Sequence, residues 1–261
     1  MDIKKDLPWS YSSTLKFGNR SPLAKSGLRE IGVRVGTDKI THHHYDFHYP
    51  RFLEHFRELR DGAMLEIGID RGASLAMWLD YFDKAFIYGI DINVSAEGPR
   101  YKIIKADQND LNALNVLVKT QIKHPVFLVV DDGSHLPEHQ AASFDFLFKE
   151  LLVPGGVYII EDVEVSYWTK GGLYGNQTRY GYRHRASIIE LFKDIVDDVN
   201  DEFLTDANRE LQGSYLKDRL SPETRACVSC VAFAKNCIII TKKTEQERFN
   251  NHRAYRFSHK L

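Results

Sequence analysis

Residues 64–74, MLEIGIDRGAS, constrain the fold more than any other stretch of the chain. A short apolar run ends in an acid and two spaced glycines, and a helical pattern follows over residues 73–82. This order predicts a buried strand, a tight turn and a helix N-terminus. Glycine allows the sharp turn and the close approach of a ligand, and the helix N-terminus favours an anionic group. The stretch therefore predicts a binding site for a nucleotide-like ligand, with an ordinary strand-to-helix connection as the alternative.

Composition excludes several other classes of protein. The 261 residues carry a formal net charge of −1, whereas nucleic-acid-binding proteins usually have a basic excess. The chain shows no apolar run of transmembrane length and no signal-peptide pattern. Cys227 and Cys230 have a CxxC spacing without a second such pair, so we expect buried, reduced thiols rather than a zinc site. These features predict a cytoplasmic protein with no nucleic-acid or membrane partner.

Strands and helices alternate along the chain after the glycine turn. Further strands are predicted at residues 85–91, 101–107, 126–132 and 157–162, with helices at 110–121, from Pro137 onward and at 188–199. This alternation is typical of an α/β fold, a parallel sheet with helices on both faces. The runs 227–234 and 237–241 predict a closing antiparallel hairpin.

Acidic residues stand at the predicted carboxyl ends of the strands. They are Glu66, Asp91, Asp107, Asp131, Asp132, Glu161 and Asp162. Ligands of parallel sheets bind beyond these strand ends, so we expect the acids to crowd one rim. Asp91, which ends the second strand, is placed to accept hydrogen bonds from ribose hydroxyls. The glycine spacing does not match the dinucleotide fingerprint GxGxxG.

The loop instead resembles that of the class I S-adenosylmethionine-dependent methyltransferases. The resemblance covers residues 60–243 and implies a Rossmann-like, seven-stranded sheet with a C-terminal antiparallel hairpin. Asp70 departs from the family, which often has glycine there. By this resemblance, the cofactor site comprises Glu66, Gly68, Asp70, Gly72, Ser74, Asp91, Asp107, Gln108 and Asp131. Asp131 has an alternative interpretation as a loop cap.

A narrower resemblance rests on four motifs: GTDK at 36–39, DDGSH at 131–135, IEDV at 160–163 and SYW at 166–168. Together they are similar to the metal-dependent sugar O-methyltransferases, which include mycinamicin-type macrolide-sugar and rhamnose enzymes. The resemblance implies that Asp132, Glu161 and Asp162 hold Mg²⁺ and that His135 is the general base. The alternatives are solvated strand-end acids or helix caps, and a histidine that only forms a turn.

The chemistry of such a site is consistent with methylation of a sugar hydroxyl. A sugar hydroxyl is barely ionised at neutral pH, and Mg²⁺ bound by carboxylates could lower the pKa of a coordinated hydroxyl. A nearby imidazole could then remove the proton. We therefore predict an S-adenosylmethionine- and Mg²⁺-dependent O-methyltransferase acting on a deoxyhexose such as rhamnose, in a glycan or glycosylated metabolite.

Three other functions remain open from the sequence. Methylation of a catechol-like phenol would use the same chemistry, in which two neighbouring hydroxyls bind the metal. A non-enzymatic module could bind S-adenosylmethionine without turnover. An iron hydroxylase would leave the glycine loop without a purpose, and such sites usually use two histidines and one carboxylate. Neither the acceptor hydroxyl nor the oligomeric state follows from the sequence, and a homo-oligomer is possible.

The remaining segments flank this core. Residues 1–59 are predicted to form an N-terminal extension with a helix at 52–59, and residues 244–261 a charged tail. The histidines at 42–48 are interpreted as surface or capping groups rather than zinc ligands. The insertion 163–185 combines glycines with aromatic residues, which suits a lid over a sugar, with a plain surface excursion as the alternative. Its candidate substrate-binding residues are Tyr167, Trp168 and Tyr174.

Overall fold

A computed structural model describes residues 26–169 and 180–249. Their centre is an eight-stranded sheet with the strand order β3-β4-β2-β1-β5-β6-β8-β7. The strands are β1 Ala63–Ile67, β2 Phe86–Asp91, β3 Ala96–Gly98, β4 Tyr101–Lys105, β5 Val126–Asp131, β6 Leu152–Glu161, β7 Val228–Ala234 and β8 Cys237–Lys242. The five strands β4, β2, β1, β5 and β6 are parallel, and β8 and β7 form the antiparallel hairpin beside β6.

Helices cover both faces of this sheet, as the sequence predicts. They are α1 Leu28–Val35, α2 Asp38–Thr41, α3 Pro50–Leu53, α4 Ala73–Tyr81, α5 Leu111–Thr120, α6 Pro137–Glu150, α7 Ile188–Asp194, α8 Val196–Val199, α9 Asp206–Leu216, α10 Pro222–Ala226 and α11 Glu245–Phe249. Short 3-10 helices lie at Tyr45–Phe47, Glu54–Glu58, Val163–Tyr167 and Asp201–Phe203. No helix in the described ranges is both long and apolar enough to cross a membrane.

The α/β fold class is confirmed, and the details differ from the expectation in three places. The sheet has eight strands rather than seven because β3 pairs antiparallel with β4 and forms the edge of the sheet. Its sequence, AEG, carries no apolar pattern that could have revealed it. The predicted helix over residues 52–59 is α3 followed by a 3-10 helix, and the one predicted over 188–199 is divided into α7 and α8.

Two apolar clusters lie on opposite faces of the sheet. Successive strand residues point to opposite faces, so Leu65 belongs to one cluster and Met64 to the other. The second cluster includes Trp78 of α4 and side chains from the N-terminal segment, such as Tyr45 and Tyr49. The described part of the N-terminal segment, residues 26–59, therefore packs against the core beside the carboxyl ends of β1 and β6.

The sheet has its switch point between β1 and β5. After β1 the chain adds β2 and β4 on one side, and it returns to add β5 and β6 on the other. In sheets of this kind, ligands bind in the crevice that opens there. The loops after β1 and β5 meet closely at this point, because a Cβ on Gly68 would lie 2.0 Å from the backbone oxygen of Asp132.

This contact predicts that two glycine substitutions lower the free energy of unfolding by different amounts. Gly68 and Gly72 both have positive φ, at 84° and 82°, but only Gly68 faces the Asp132 backbone, and nothing lies within 4 Å of a Cβ on Gly72. Gly72→Ala should lower the free energy of unfolding by roughly 1–2 kcal/mol, the cost of a left-handed residue with a side chain. Gly68→Ala should cost clearly more, because a backbone loop must also move. Urea denaturation of both variants measures this, and equal costs would contradict it.

Candidate active site

Glu66, in β1 just before the predicted cofactor loop, stabilises that loop through hydrogen bonds. This carboxylate is buried and accepts hydrogen bonds from Ser74 Oγ at 2.8 Å and Trp78 Nε1 at 3.0 Å. Burial raises its pKa, although the neighbouring Lys39 ammonium opposes the shift. Because both partners lie on α4, Glu66 fixes the start of that helix to the end of β1.

Asp91 shapes the same loop from the neighbouring strand. One of its oxygens accepts from the backbone N–H groups of Ile69 and Asp70, and the other from those of Asn93 and Val94. Burial alone would raise the pKa of Asp91, but these four donors outweigh it and hold the pKa below its usual value of 3.8. The exposed Asp70 has a φ of 45°, a left-handed conformation that accounts for the family's frequent glycine there.

Asp131 and Gln108 lie inside the protein. The Asp131 carboxylate is fully buried and accepts from Gln108 Nε2 at 2.8 Å and from Ser143 Oγ at 2.7 Å. Gln108 Oε1 in turn accepts from the backbone N–H of Ser134 at 2.8 Å. Both residues therefore hold the loop after β5 in place, which agrees with the interpretation of Asp131 as a loop cap. Asp107, the predicted neighbour of the adenine, is exposed at the end of β4.

Three of the predicted catalytic and metal-binding side chains converge where the segments that follow β5 and β6 meet. Asp132, His135 and Asp162 each offer one ligand atom, and these atoms all lie within 4.8 Å of one another. The side chains are partly open to solvent, with exposed fractions of 25%, 20% and 19%. His135 Nε2 lies 4.0 Å from Asp162 Oδ2. This grouping provides two carboxylates and an imidazole at the carboxyl edge of β5 and β6.

Glu161, the third predicted ligand, lies next to this group but is closed off from solvent. Its side chain is 1% exposed, and both of its oxygens are already bonded. Oε1 accepts from Tyr49 OH at 2.5 Å, and Oε2 accepts from Lys39 Nζ at 2.6 Å. Burial raises the pKa of Glu161 well above its usual range, while Lys39 opposes the shift. Glu161 does not share the 4.8 Å grouping.

Asp162 is oriented by residues from both ends of the chain. Its Oδ1 accepts from Asn236 Nδ2 at 2.8 Å and from Tyr45 OH at 3.1 Å. His43 Nδ1 lies 3.6 Å from the same oxygen. These contacts leave Oδ2 directed toward His135. The backbone φ is positive at His135, Asp162 and Asn236, at 58°, 53° and 59°, and such conformations cluster at functional sites.

A cavity of about 600 Å³ opens beside the 3-10 helix Val163–Tyr167, which follows Asp162. His43 and Asn236, which contact Asp162, also line it, together with Glu164 and the aromatic rings of Tyr167 and Phe233. Trp168 is partly buried beside Tyr167. Tyr174, the third predicted substrate residue, lies outside the described residues.

Sequence reasoning missed several side chains of this site. The sequence assigns no role to Lys39 of the GTDK motif, and it predicts surface or capping groups at residues 42–48, although His43 Nδ1 lies 3.6 Å from Asp162 Oδ1. Tyr45, Tyr49 and Asn236 gave no signal of their own. The motif around Lys39 was the one usable clue. The cysteines Cys227, Cys230 and Cys237 are free, but Cys230 is exposed rather than buried because it lies on the edge strand β7.

The structure resembles solved methyltransferases. The MycE methyltransferase of the mycinamycin biosynthetic pathway, in complex with Mg and SAH, superposes with a TM-score of 0.71 and 28% identity over 85% of this chain and 54% of that one. The fold is that of a class I methyltransferase. A second MycE structure, with Mg, SAH and mycinamycin VI, gives a TM-score of 0.68 and 26% identity, over 84% of this chain and 55% of that one.

One sequence relative has a sugar group in its name, the 8-demethyl-8-alpha-L-rhamnosyl tetracenomycin-C 2'-O-methyltransferase of Streptomyces olivaceus, which is 37% identical over 59% of this chain and 42% of its own length. Demethylmacrocin O-methyltransferase of Streptomyces fradiae is 37% identical over 69% of this chain and 46% of its own length. Mycinamicin VI 2''-O-methyltransferase of Micromonospora griseorubida is 34% identical over 74% of this chain and 48% of its own. The chain thus spans about half the length of these relatives, and no family model matches it. The predicted resemblance to sugar O-methyltransferases is confirmed.

The bonds of Asp91 predict a pH-dependent loss of stability. Asp91→Asn replaces one acceptor oxygen by an NH₂ group and should lower the free energy of unfolding at neutral pH by roughly 1–3 kcal/mol. Because the folded-state pKa of Asp91 lies below the usual 3.8, its contribution is present above that value and is lost as pH falls through the folded pKa. The difference between wild type and variant should therefore shrink on acidification.

Urea denaturation from neutral pH to about pH 3 measures this effect. Asp107→Asn is the matched control, because that exposed carboxylate accepts from one backbone N–H, that of Asn109. It should change stability by less than about 0.5 kcal/mol. An Asp91→Asn deficit that stays constant across the pH range would contradict the assignment.

Proposed function

We propose that the protein transfers a methyl group from S-adenosylmethionine to a hydroxyl of a sugar, in a reaction that requires Mg²⁺. The observation that carries the proposal is the convergence of Asp132, His135 and Asp162 beside the glycine loop. The rhamnosyl and olivosyl groups in the names of two relatives support the acceptor class, and the Mg and SAH in the MycE structures support the two cofactors. A deoxyhexose such as rhamnose, in a glycan or a glycosylated metabolite, is the proposed acceptor.

The donor set fits a magnesium ion. Mg²⁺ prefers carboxylate oxygens and usually takes one or two carboxylates from a protein, with water or substrate completing its coordination. Asp132 and Asp162 supply such oxygens, and Glu161 would join them by giving up Lys39 or Tyr49. Since this hard cation has little preference for nitrogen, His135 stays available for proton transfer. When bound, the ion would lower the pKa of a sugar hydroxyl that coordinates it.

His135 then acts as the general base. Its Nε2 lies 4.0 Å from Asp162 Oδ2 and would take the proton of the acceptor hydroxyl. The hydroxyl oxygen forms a bond to the methyl carbon while the carbon–sulfur bond breaks, which leaves S-adenosylhomocysteine. The glycine loop, braced by Glu66 and Asp91, holds the donor so that its methyl group faces the acceptor.

The 600 Å³ cavity is the proposed site for the part of the acceptor beyond the reacting hydroxyl, because His43 and Asn236 in its lining contact Asp162. Its volume lies in the range of small-molecule pockets and exceeds that of a single sugar ring. Tyr167 and Phe233 offer ring faces, and Glu164 and Asn236 offer polar groups, a combination that suits the apolar faces and hydroxyl edges of a sugar. The room beyond one ring favours a glycoside over a free sugar.

The reaction is tested by incubating the protein with S-adenosylmethionine, Mg²⁺ and a rhamnoside and following the gain of one methyl group by mass spectrometry. Chelation with EDTA should abolish the product. His135→Ala should lower kcat by about 10²–10⁴-fold, the usual contribution of a general base. His55→Ala, an exposed histidine away from the site, should leave kcat unchanged. Activity that survives both chelation and His135→Ala would refute the mechanism.

The same assay separates the rival functions. Turnover of catechols but not of any sugar would change the acceptor class. Binding of S-adenosylmethionine without turnover on any diol would favour a non-enzymatic binding module.

Asp162→Asn tests the proposed ion site directly. The variant keeps an oxygen that can accept from Asn236 and Tyr45 but loses the negative charge. Loss of a ligand should weaken Mg²⁺ binding at least as much as loss of an outer partner, by about tenfold or more. Isothermal titration calorimetry with Mg²⁺ measures this, with Asp107→Asn as the charge-matched control. Unchanged Mg²⁺ affinity in Asp162→Asn would show that Asp162 is not a ligand of the ion.

A further inference from the structure

Lys39 is buried among carboxylates from three strands. Its side chain is 1% exposed, and its Nζ lies 2.5 Å from Asp132 Oδ2, 2.6 Å from Glu161 Oε2 and 3.4 Å from Glu66 Oε1. Within the ranges 26–169 and 180–249, no other lysine or arginine forms an ion pair with these carboxylates. Lys39 thus connects the cofactor side of the site, at Glu66, with the proposed metal side.

The charge of Lys39 offsets a large buried negative charge. Together with Asp162, four carboxylates lie at this edge of the sheet, and an uncompensated buried carboxylate is strongly destabilising. The three ion pairs of Lys39 place its positive charge between Asp132, Glu161 and Glu66. Lys39 is therefore the cation that offsets this cluster.

Lys39 also divides the cluster into a closed and an open half. On the closed side, Glu161 has both oxygens bonded, to Lys39 and Tyr49. On the open side, Asp132 and Asp162 are partly exposed and lie with His135 in the 4.8 Å grouping. A divalent ion that enters the site first meets the partly exposed carboxylates of the open side. There it would share Asp132 with Lys39.

We propose that Lys39 is a built-in counter-ion that stabilises the carboxylate cluster before a divalent ion binds and weakens the binding of that ion. The inference rests on the proposed function. Two cations that share one carboxylate repel each other, and water screens this repulsion poorly at a buried site. The lysine therefore stabilises the site before an ion binds and reduces the affinity for that ion. It is a positioning residue, since it acts through Asp132 and Glu161.

The test compares Lys39→Met, which keeps the length and apolar stem but removes the charge, with Lys39→Arg, which keeps the charge. Without Mg²⁺, Lys39→Met should have a lower Tm than wild type. Its Tm should rise more on addition of Mg²⁺, and calorimetry should show Mg²⁺ binding at least about tenfold tighter, because a repelling charge is gone. Lys39→Arg should bind Mg²⁺ within a few-fold of wild type.

A double variant covers the case in which Lys39→Met does not fold. Lys39→Met combined with Glu161→Gln removes one charge of each sign, so the double variant should fold and exceed Lys39→Met in Tm. A double variant that also fails to fold would overturn the counter-ion role.

The outcomes separate this inference from the proposed function. If wild type binds no Mg²⁺ by calorimetry, the proposed metal dependence fails and the inference falls with it. If wild type binds Mg²⁺ but Lys39→Met shows equal or weaker affinity and the same Mg²⁺-induced change in Tm, only the counter-ion role is refuted. A purely structural lysine would lower Tm by the same amount with and without Mg²⁺.

Discussion

Buried carboxylates at the ends of parallel strands are the constraint on which the rest of this structure depends. Each one loses its hydration and must be offset by donors or by a cation. The chain meets this requirement differently at each strand: side chains of α4 for Glu66, backbone N–H groups for Asp91, and an internal polar network for Asp131. At Asp132 and Glu161 the partner is Lys39. These donors and this cation determine which carboxylate oxygens remain free to bind a ligand.

Much of the fold could be predicted because it depends on local patterns. Apolar runs, glycine turns and helical spacing are properties of neighbouring residues, and they revealed the parallel strands and the closing hairpin. The gathering of the strand-end acids at one rim also followed, since parallel strands end at the same edge of a sheet. The edge strand β3 was missed because three small or polar residues carry no such pattern.

The finer division of the acids could not be predicted because it depends on contacts between distant residues. Whether Asp131 faces a ligand or the interior is decided by Gln108 and Ser143, which come from other loops and helices. Glu161 is closed by Lys39 and Tyr49, which precede it in the sequence by more than a hundred residues. A carboxylate at a strand end looks the same in the sequence in either case.

The N-terminal segment is part of the site, although the sequence suggested only an extension. The rings of His43, Tyr45, Tyr49 and Trp78 stack in a column, with centroid separations of 5.2, 5.0 and 6.3 Å. The polar tips of the last three reach Asp162, Glu161 and Glu66 in turn.

Burial and the nearby carboxylates raise the pKa of both tyrosines, so the two phenols remain protonated and serve as hydrogen-bond donors. Stacked aromatic rings attract one another, so the four side chains hold each other in place. The column therefore fixes the spacing between Glu66, just before the glycine loop, and the carboxylates at the end of β6. In the proposed methyl transfer the donor and acceptor need a set separation, and this column, three of whose four rings come from residues 43–49, would help to maintain it.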